Sequence, residues 1–75
     1  MLSIEENDKL INYVNANNFV QKDNMFLLQI FAKDYTWDFT KKFYEFVDPI
    51  KGLDKIRVFY KEDGVDKVEY RIIIK

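Results

Sequence analysis

The sequence predicts a small α+β domain, in which two helices lie on one face of a three-stranded antiparallel sheet. Three observations predict this fold: two amphipathic stretches with helical spacing, one nine-residue run of bulky residues, and two alternating stretches around an Asp-Gly pair. The elements follow one another in the order α-β-α-β-β. All 75 residues are expected to form one domain, 1–75, because so short a chain builds only one core.

The first helix is predicted over residues 4–16. Ser3 and Glu6 fit a capping box, in which the serine side chain accepts a hydrogen bond from the Glu6 backbone and the glutamate side chain reaches back. Apolar residues then recur at helical spacing. The Asn-rich run at 15–18 ends the helix, because asparagine tolerates the left-handed conformation of a helix C-cap.

The first strand is predicted at residues 25–33. Side chains alternate along this run, and its length and bulky residues favour a strand. Met25, Leu28 and Ala32 also fit helical spacing, so a helix remains the alternative. The preceding residues 21–24 are interpreted as a turn.

The second helix is predicted at residues 37–48, with Thr36 as its N-cap. The residue before Pro49 avoids the helical region, so the helix ends there. Its apolar positions share one narrow arc at 100° per residue. These positions are Phe39, Phe43, Phe46, Val47 and Ile50.

The last third of the chain is predicted to form a β-hairpin. A two-residue Asp-Gly turn would pair Val58 with Glu69, whereas a three-residue loop at 62–64 pairs Val58 with Val68. Because the buried face sets the register of a strand, the three-residue loop is preferred. It also gives Gly64 the left-handed position that such a loop requires.

The order of the three strands in the sheet is predicted to be 1-3-2. The third strand contains the Ile run at 72–74 and is the most apolar of the three, which suits a central position. The second helix follows the first strand closely and returns across the sheet. All neighbouring strands are then antiparallel, with both helices on one face.

The composition indicates a protein without catalytic chemistry. The chain has no Cys and no His, so disulfides, thiolate metal sites and an imidazole base are excluded. Ser3 and Thr36 are explained as helix caps, and two glycines cannot form a phosphate-binding loop. We therefore expect no catalytic residue, no metal and no cofactor.

The start of the chain and its hydropathy favour a cytoplasmic protein. Glu5, Glu6 and Asp8 stand where a secretory signal would be basic and then apolar. No apolar run approaches the roughly 20 residues that span a bilayer. We expect no membrane partner.

The sheet face away from the helices is the first candidate surface. Under the predicted register it interleaves aromatic rings with most of the basic residues, an arrangement that single-stranded nucleic acid binds through stacking and phosphate contacts. An ordinary solvated face, an acidic protein partner, or pairing of two copies through this face or a strand edge are the alternatives. The face is defined by Phe31, Lys33, Lys55, Arg57, Phe59, Lys61, Lys67 and Arg71.

An aromatic flank is the second candidate surface. Trp37 and Tyr44 are seven residues apart, so they lie above one another beside the apolar arc of the second helix, with Tyr35 just before it. Trp and Tyr are the residues most often found as interface anchors. We predict that these three side chains bind a protein partner. The alternative is that Trp37 closes one end of the core.

The chain resembles the small early proteins of phages that infect low-GC bacteria. Size, aromatic density and an abundance of Asn, Ile, Lys, Phe and Tyr carry this resemblance. That class includes anti-CRISPR proteins and inhibitors of sliding clamps. It implies a non-enzymatic protein that occludes a functional surface of a host nucleic-acid-processing or defence protein, in the host cytoplasm. The alternative function is a small single-stranded nucleic-acid-binding module.

Overall fold

The first helix begins and ends where the sequence predicts. The structure is a computed structural model that describes residues 2–75 and has an α+β fold. Helix α1 spans Ile4–Ala16, and both capping-box hydrogen bonds between Ser3 and Glu6 are 3.0 Å long. Asn18 then adopts a positive φ of 62°, which turns the chain toward the sheet.

The chain next forms a short strand that the sequence analysis missed. Strand β1 spans Val20–Lys22 and pairs antiparallel with β2, Met25–Phe31. Asp23 has a φ of 55° in the tight turn between them. The prediction of three strands is therefore wrong, since residues 2–75 form a sheet of four. Three exposed residues carry no periodic signal, and tight pairing with β2 is what makes them a strand.

Strand β2 and the second helix confirm the predicted elements with small shifts at their ends. The strand stops at Phe31, and residues Ala32–Asp34 form one turn of 3-10 helix. Helix α2 spans Trp37–Val47. Its N-cap Thr36 accepts a hydrogen bond from the backbone of Phe39 at 3.2 Å. The helical alternative for residues 25–33 is wrong.

The hairpin has the two-residue turn, so the predicted three-residue loop is wrong. Strands β3, Leu53–Glu62, and β4, Val65–Ile74, close with Glu62 opposite Val65. Asp63 and Gly64 have φ values of 53° and 78°, the left-handed pair of a type I′ turn. Val58 consequently pairs with Glu69 and not with Val68. The preference of Asp63-Gly64 for a two-residue turn sets the register, and Val58 is exposed as a result.

The sheet order is β1-β2-β4-β3, and all neighbouring strands are antiparallel. The central position of the Ile-rich strand, β4, is confirmed. Because directly paired residues share a face, the register divides the sheet into two faces. We call the face that contacts the helices the helix side, with Phe26, Leu28, Ile30, Leu53, Lys55, Arg57, Phe59, Lys61, Val68, Tyr70 and Ile72. The other is the open face, with Leu27, Gln29, Phe31, Asp54, Ile56, Val58, Tyr60, Lys67, Glu69, Arg71 and Ile73.

Tyr70 fixes α2 over the helix side of β4. Its ring is fully buried and meets the rings of Phe39 and Phe43 edge-on, with centroids 5.2 and 5.0 Å away. Thr40 donates to the Thr36 carbonyl at 3.1 Å, so its hydroxyl accepts from the Tyr70 hydroxyl at 2.6 Å. The buried phenol is thus paired, which avoids the cost of an unsatisfied donor.

Helix α1 completes the core. Its Leu10 and Val14 are buried in the same cluster as Phe43. Tyr13 stacks on Phe46 of α2, with ring centroids 4.1 Å apart and planes nearly parallel. Aromatic pairs of this kind stabilise a packing arrangement beyond the area that they bury. The two helices therefore share one core on the helix side.

Two adjacent rings on α2 should differ sharply in their effect on stability. Phe43 is fully buried, so Phe43→Ala should lower the free energy of unfolding by about 3–5 kcal/mol. Tyr44 is half-buried on the flank, so Tyr44→Ala should cost about 1 kcal/mol. Thermal denaturation of both variants measures the difference, and equal losses would contradict the placement of α2.

Candidate binding surfaces

The basic face predicted from the sequence does not exist as one surface. The two-residue turn shifts β3 by one residue against β4, which sends its alternating side chains to the opposite face. Phe31, Lys67 and Arg71 lie on the open face, and Lys33 lies in the 3-10 turn after β2. The remaining members of the predicted face lie on the helix side. These are Lys55, Arg57, Phe59 and Lys61.

Carboxylates lie next to most of these cations. Lys67 pairs with Glu62 at 2.8 Å, and Lys61 lies 3.8 Å from Asp66. The other two pairs are Lys55 with Asp48 and Arg71 with Glu69. A phosphate backbone would have to compete with these acids. The nucleic-acid interpretation therefore loses the continuous basic face on which it depended.

A buried carboxylate lies at the centre of the open face. Glu69 is 6% exposed and accepts hydrogen bonds from the Gln29 amide, at 2.8 Å, and from the Arg71 guanidinium. Burial raises the pKa of Glu69, but these hydrogen bonds and the charge of Arg71 outweigh burial and hold the pKa below its usual value. The network ties β2 to β4 across the face.

Exposed apolar side chains surround this network. Val20, Phe31, Ile56 and Val58 all project from the sheet into solvent, and neither of the described helices covers them. Apolar side chains grouped on one sheet face are typical of contact surfaces for other molecules. The open face is thus apolar with a polar centre, and it is not the basic stacking platform that the sequence predicted.

The aromatic flank is present on α2 and extends onto β3. Trp37 is 61% exposed, so it does not close the core. Tyr44 is half-buried, and the Lys55 ammonium lies 5.7 Å from its ring centroid. Hydrogen bonding to Asp48 raises the pKa of Lys55. Trp37 lies two helical turns before Tyr44 on the same side of α2.

Arg57 joins the third aromatic residue to the edge strand. One of its terminal nitrogens donates to the Tyr35 hydroxyl at 3.0 Å. The guanidinium carbon lies 5.8 Å from the Tyr35 ring centroid and 5.2 Å from that of Phe59. Its Nε is buried without a hydrogen-bond partner, and no carboxylate of the described residues lies within 4.0 Å of the guanidinium. The two rings contact each other edge-on, with centroids 5.2 Å apart, and the guanidinium lies against both with part of its hydrogen-bonding capacity unused.

The aromatic flank and part of the predicted basic face therefore form a single surface. We call this surface the edge flank; its residues are Tyr35, Trp37, Tyr44, Lys55, Arg57 and Phe59. The sequence predicted two separate surfaces because the predicted hairpin register was wrong. The alternative two-residue turn places Arg57 and Phe59 on the helix side.

Comparison with known proteins found no matching family model, no matching curated protein and no matching solved structure. Residues 2–75 hold no group of three or more acidic side chains that could bind a metal ion. In the same residues, no helix is long and apolar enough to cross a membrane. The open face and the edge flank are therefore the two candidate surfaces for binding another molecule.

Glu69 should make stability depend on pH in the acid range. A carboxylate whose pKa is lowered by folding stabilises the protein above its unfolded pKa, about 4.3, and this stabilisation is lost as pH falls through the folded pKa. At pH 7 Glu69→Gln should lower the free energy of unfolding by about 1.5–3 kcal/mol, the usual contribution of charged hydrogen bonds. Denaturation between pH 7 and pH 3 should show this difference shrinking. A constant difference would contradict the role of the ionised carboxylate.

Proposed function

We propose that the chain is a non-enzymatic binding protein that occludes a functional surface of a macromolecular partner through the edge flank. The observation that carries this proposal is Arg57, whose guanidinium lies against the rings of Tyr35 and Phe59 with no carboxylate of the described residues within 4.0 Å. The exposed ring of Trp37 lies on the same flank. Arg and Trp are the residue types that most often dominate binding energy at protein interfaces.

The charge distribution supports a protein partner over a nucleic acid. The chain has a net charge of −1, and α2 itself carries Asp38, with Asp48 at its C-terminal end. Nucleic-acid affinity depends mainly on basic side chains that neutralise phosphates. An isolated cation beside aromatic rings is better suited to one acidic side chain of a protein.

The resemblance in size and composition supports a host protein as the partner. Small early phage proteins of this type inhibit host proteins by covering a surface rather than by chemistry. We propose a host nucleic-acid-processing or defence protein as the partner, met in the host cytoplasm. Arg57 and Trp37 would then anchor the contact, and the rest of the edge flank would exclude water around them.

Replacing one anchor should weaken capture of the partner without unfolding the protein. Trp37→Ser should reduce affinity about thirtyfold, because an interface anchor contributes about 2 kcal/mol. The measurement is capture of host proteins by the tagged chain, followed by titration of the captured protein. Ile4→Ser is the matched control, because Ile4 is an 85% exposed apolar residue on α1.

Nuclease treatment separates the two classes of partner. Capture through a protein surface should persist after nuclease treatment, and only Trp37→Ser should reduce it. If nuclease abolishes capture, the proposed protein partner is wrong. If Ile4→Ser weakens capture as much as Trp37→Ser, the edge flank is not the binding surface.

A further inference from the structure

The free edge of β3 lies within the edge flank. Glu62 and Val65 close a two-residue turn, so they form a hydrogen-bonded pair and the even-numbered residues of β3 bond to β4. The bond from the Lys75 backbone to the Gly52 carbonyl, 3.0 Å long, continues this pattern. The backbone groups of the odd-numbered residues therefore point away from the sheet.

Along this edge, the chain itself provides acceptors for the backbone N–H groups at the start of β3. The backbone N–H of Leu53 donates to the Ile50 carbonyl at 3.1 Å, and that of Lys55 donates to the Asp54 side chain at 2.9 Å. Within residues 2–75, the backbone N–H groups of Arg57, Phe59 and Lys61 have no such partner. Three consecutive outward positions thus offer donors and acceptors to an added strand.

The side chains along this segment alternate in character. Arg57 and Lys61 are basic and lie on the helix side, with Phe59 between them. Ile56 and Val58 lie on the open face and are 40% and 37% exposed. A strand added beside β3 would therefore meet cations on one face and aliphatic groups on the other.

A second copy of the chain fits this edge poorly. Antiparallel pairing of two β3 strands must bring outward residues opposite one another. Every register centred between residues 56 and 59 places two basic residues in direct opposition, such as Arg57 on Arg57 or Lys55 on Lys61. Like charges directly opposite destabilise a strand pair. Lys55 and Lys61 already lie next to Asp48 and Asp66, whereas Arg57 has no carboxylate of residues 2–75 within 4.0 Å and therefore favours an acidic strand.

We propose that β3 accepts an extended acidic segment of the partner as an added antiparallel strand, with a carboxylate of that segment bound by Arg57. This inference rests on the proposed function and specifies its binding mode. The segment has acidic side chains toward the helix side and aliphatic ones toward the open face. Arg57 gains the counter-ion that it lacks, and the free backbone groups of β3 gain partners.

A ten-residue peptide of alternating glutamate and valine tests this mode directly. Titration followed by amide NMR should shift the signals of Arg57, Phe59 and Lys61 and slow their hydrogen exchange, while β1 is unaffected. The same peptide with lysine in place of glutamate should bind at least about tenfold more weakly, as should Arg57→Gln with the glutamate peptide. Lys41→Gln, a basic residue of α2 outside the edge flank, is the matched control.

Methylation of the peptide backbone separates strand addition from charge attraction alone. In an antiparallel pair the glutamate residues share hydrogen bonds with the outward residues of β3. N-methylation of the glutamates should abolish binding, whereas N-methylation of the valines should preserve it. Equal binding of the unmodified and glutamate-methylated peptides would overturn the proposal, as would pairing of β3 between two copies in the absence of peptide.

The two proposals fail in different ways. If the glutamate peptide does not perturb β3 while capture of a host protein still depends on Trp37, strand addition is wrong and the binding function stands. If the peptide perturbs Arg57, Phe59 and Lys61 but Trp37→Ser leaves capture unchanged, β3 accepts a strand and the proposed use of the edge flank is wrong.

Discussion

The two-residue turn at Asp63 and Gly64 determines the chemistry of both faces of the sheet. Both residues adopt a positive φ, which suits the twist of a tight hairpin and sets Glu62 opposite Val65. Because side chains alternate along a strand, this one choice sends Arg57 to the helix side and Val58 to the open face. A loop longer by one residue would exchange them. The edge flank therefore depends on a turn that none of its residues belongs to.

The edge flank also depends on the position of α2 over the sheet. Tyr70 lies on the central strand, and its hydrogen bond to Thr40 with the edge-on rings of Phe39 and Phe43 anchors the helix above β4. Tyr44 is then carried over β3, where Lys55 lies beside its ring. A buried phenol with a satisfied hydroxyl thus connects core packing to the arrangement of the surface.

The parts of the fold that depend on local chemistry could be predicted from the sequence. The capping box of α1, the N-cap of α2 and the central position of β4 follow from short-range hydrogen bonding and hydropathy. Strand β1 could not be predicted, because its three residues become a strand only by pairing with β2. The predicted hairpin register was wrong because it assumed that Val58 is buried, whereas Val58 lies on the open face and is exposed. The aromatic flank was located correctly on α2, but its contact with Arg57 depends on the register.

In the proposed binding mode, β3 is an edge strand that resists pairing with its own copy and still accepts an acidic strand. A ten-residue strand that has aliphatic groups on one face and unpaired backbone groups along its edge can pair with any extended chain. Lys55, Arg57 and Lys61 disfavour pairing with another copy in registers centred between residues 56 and 59, since they would lie opposite one another in the added strand. Their charge does not oppose an acidic strand, and within residues 2–75 Arg57 has no carboxylate partner, whereas most cations of the sheet have one. If β3 accepts an acidic strand as proposed, the same side chains disfavour self-pairing by charge repulsion and recognise the partner by charge attraction.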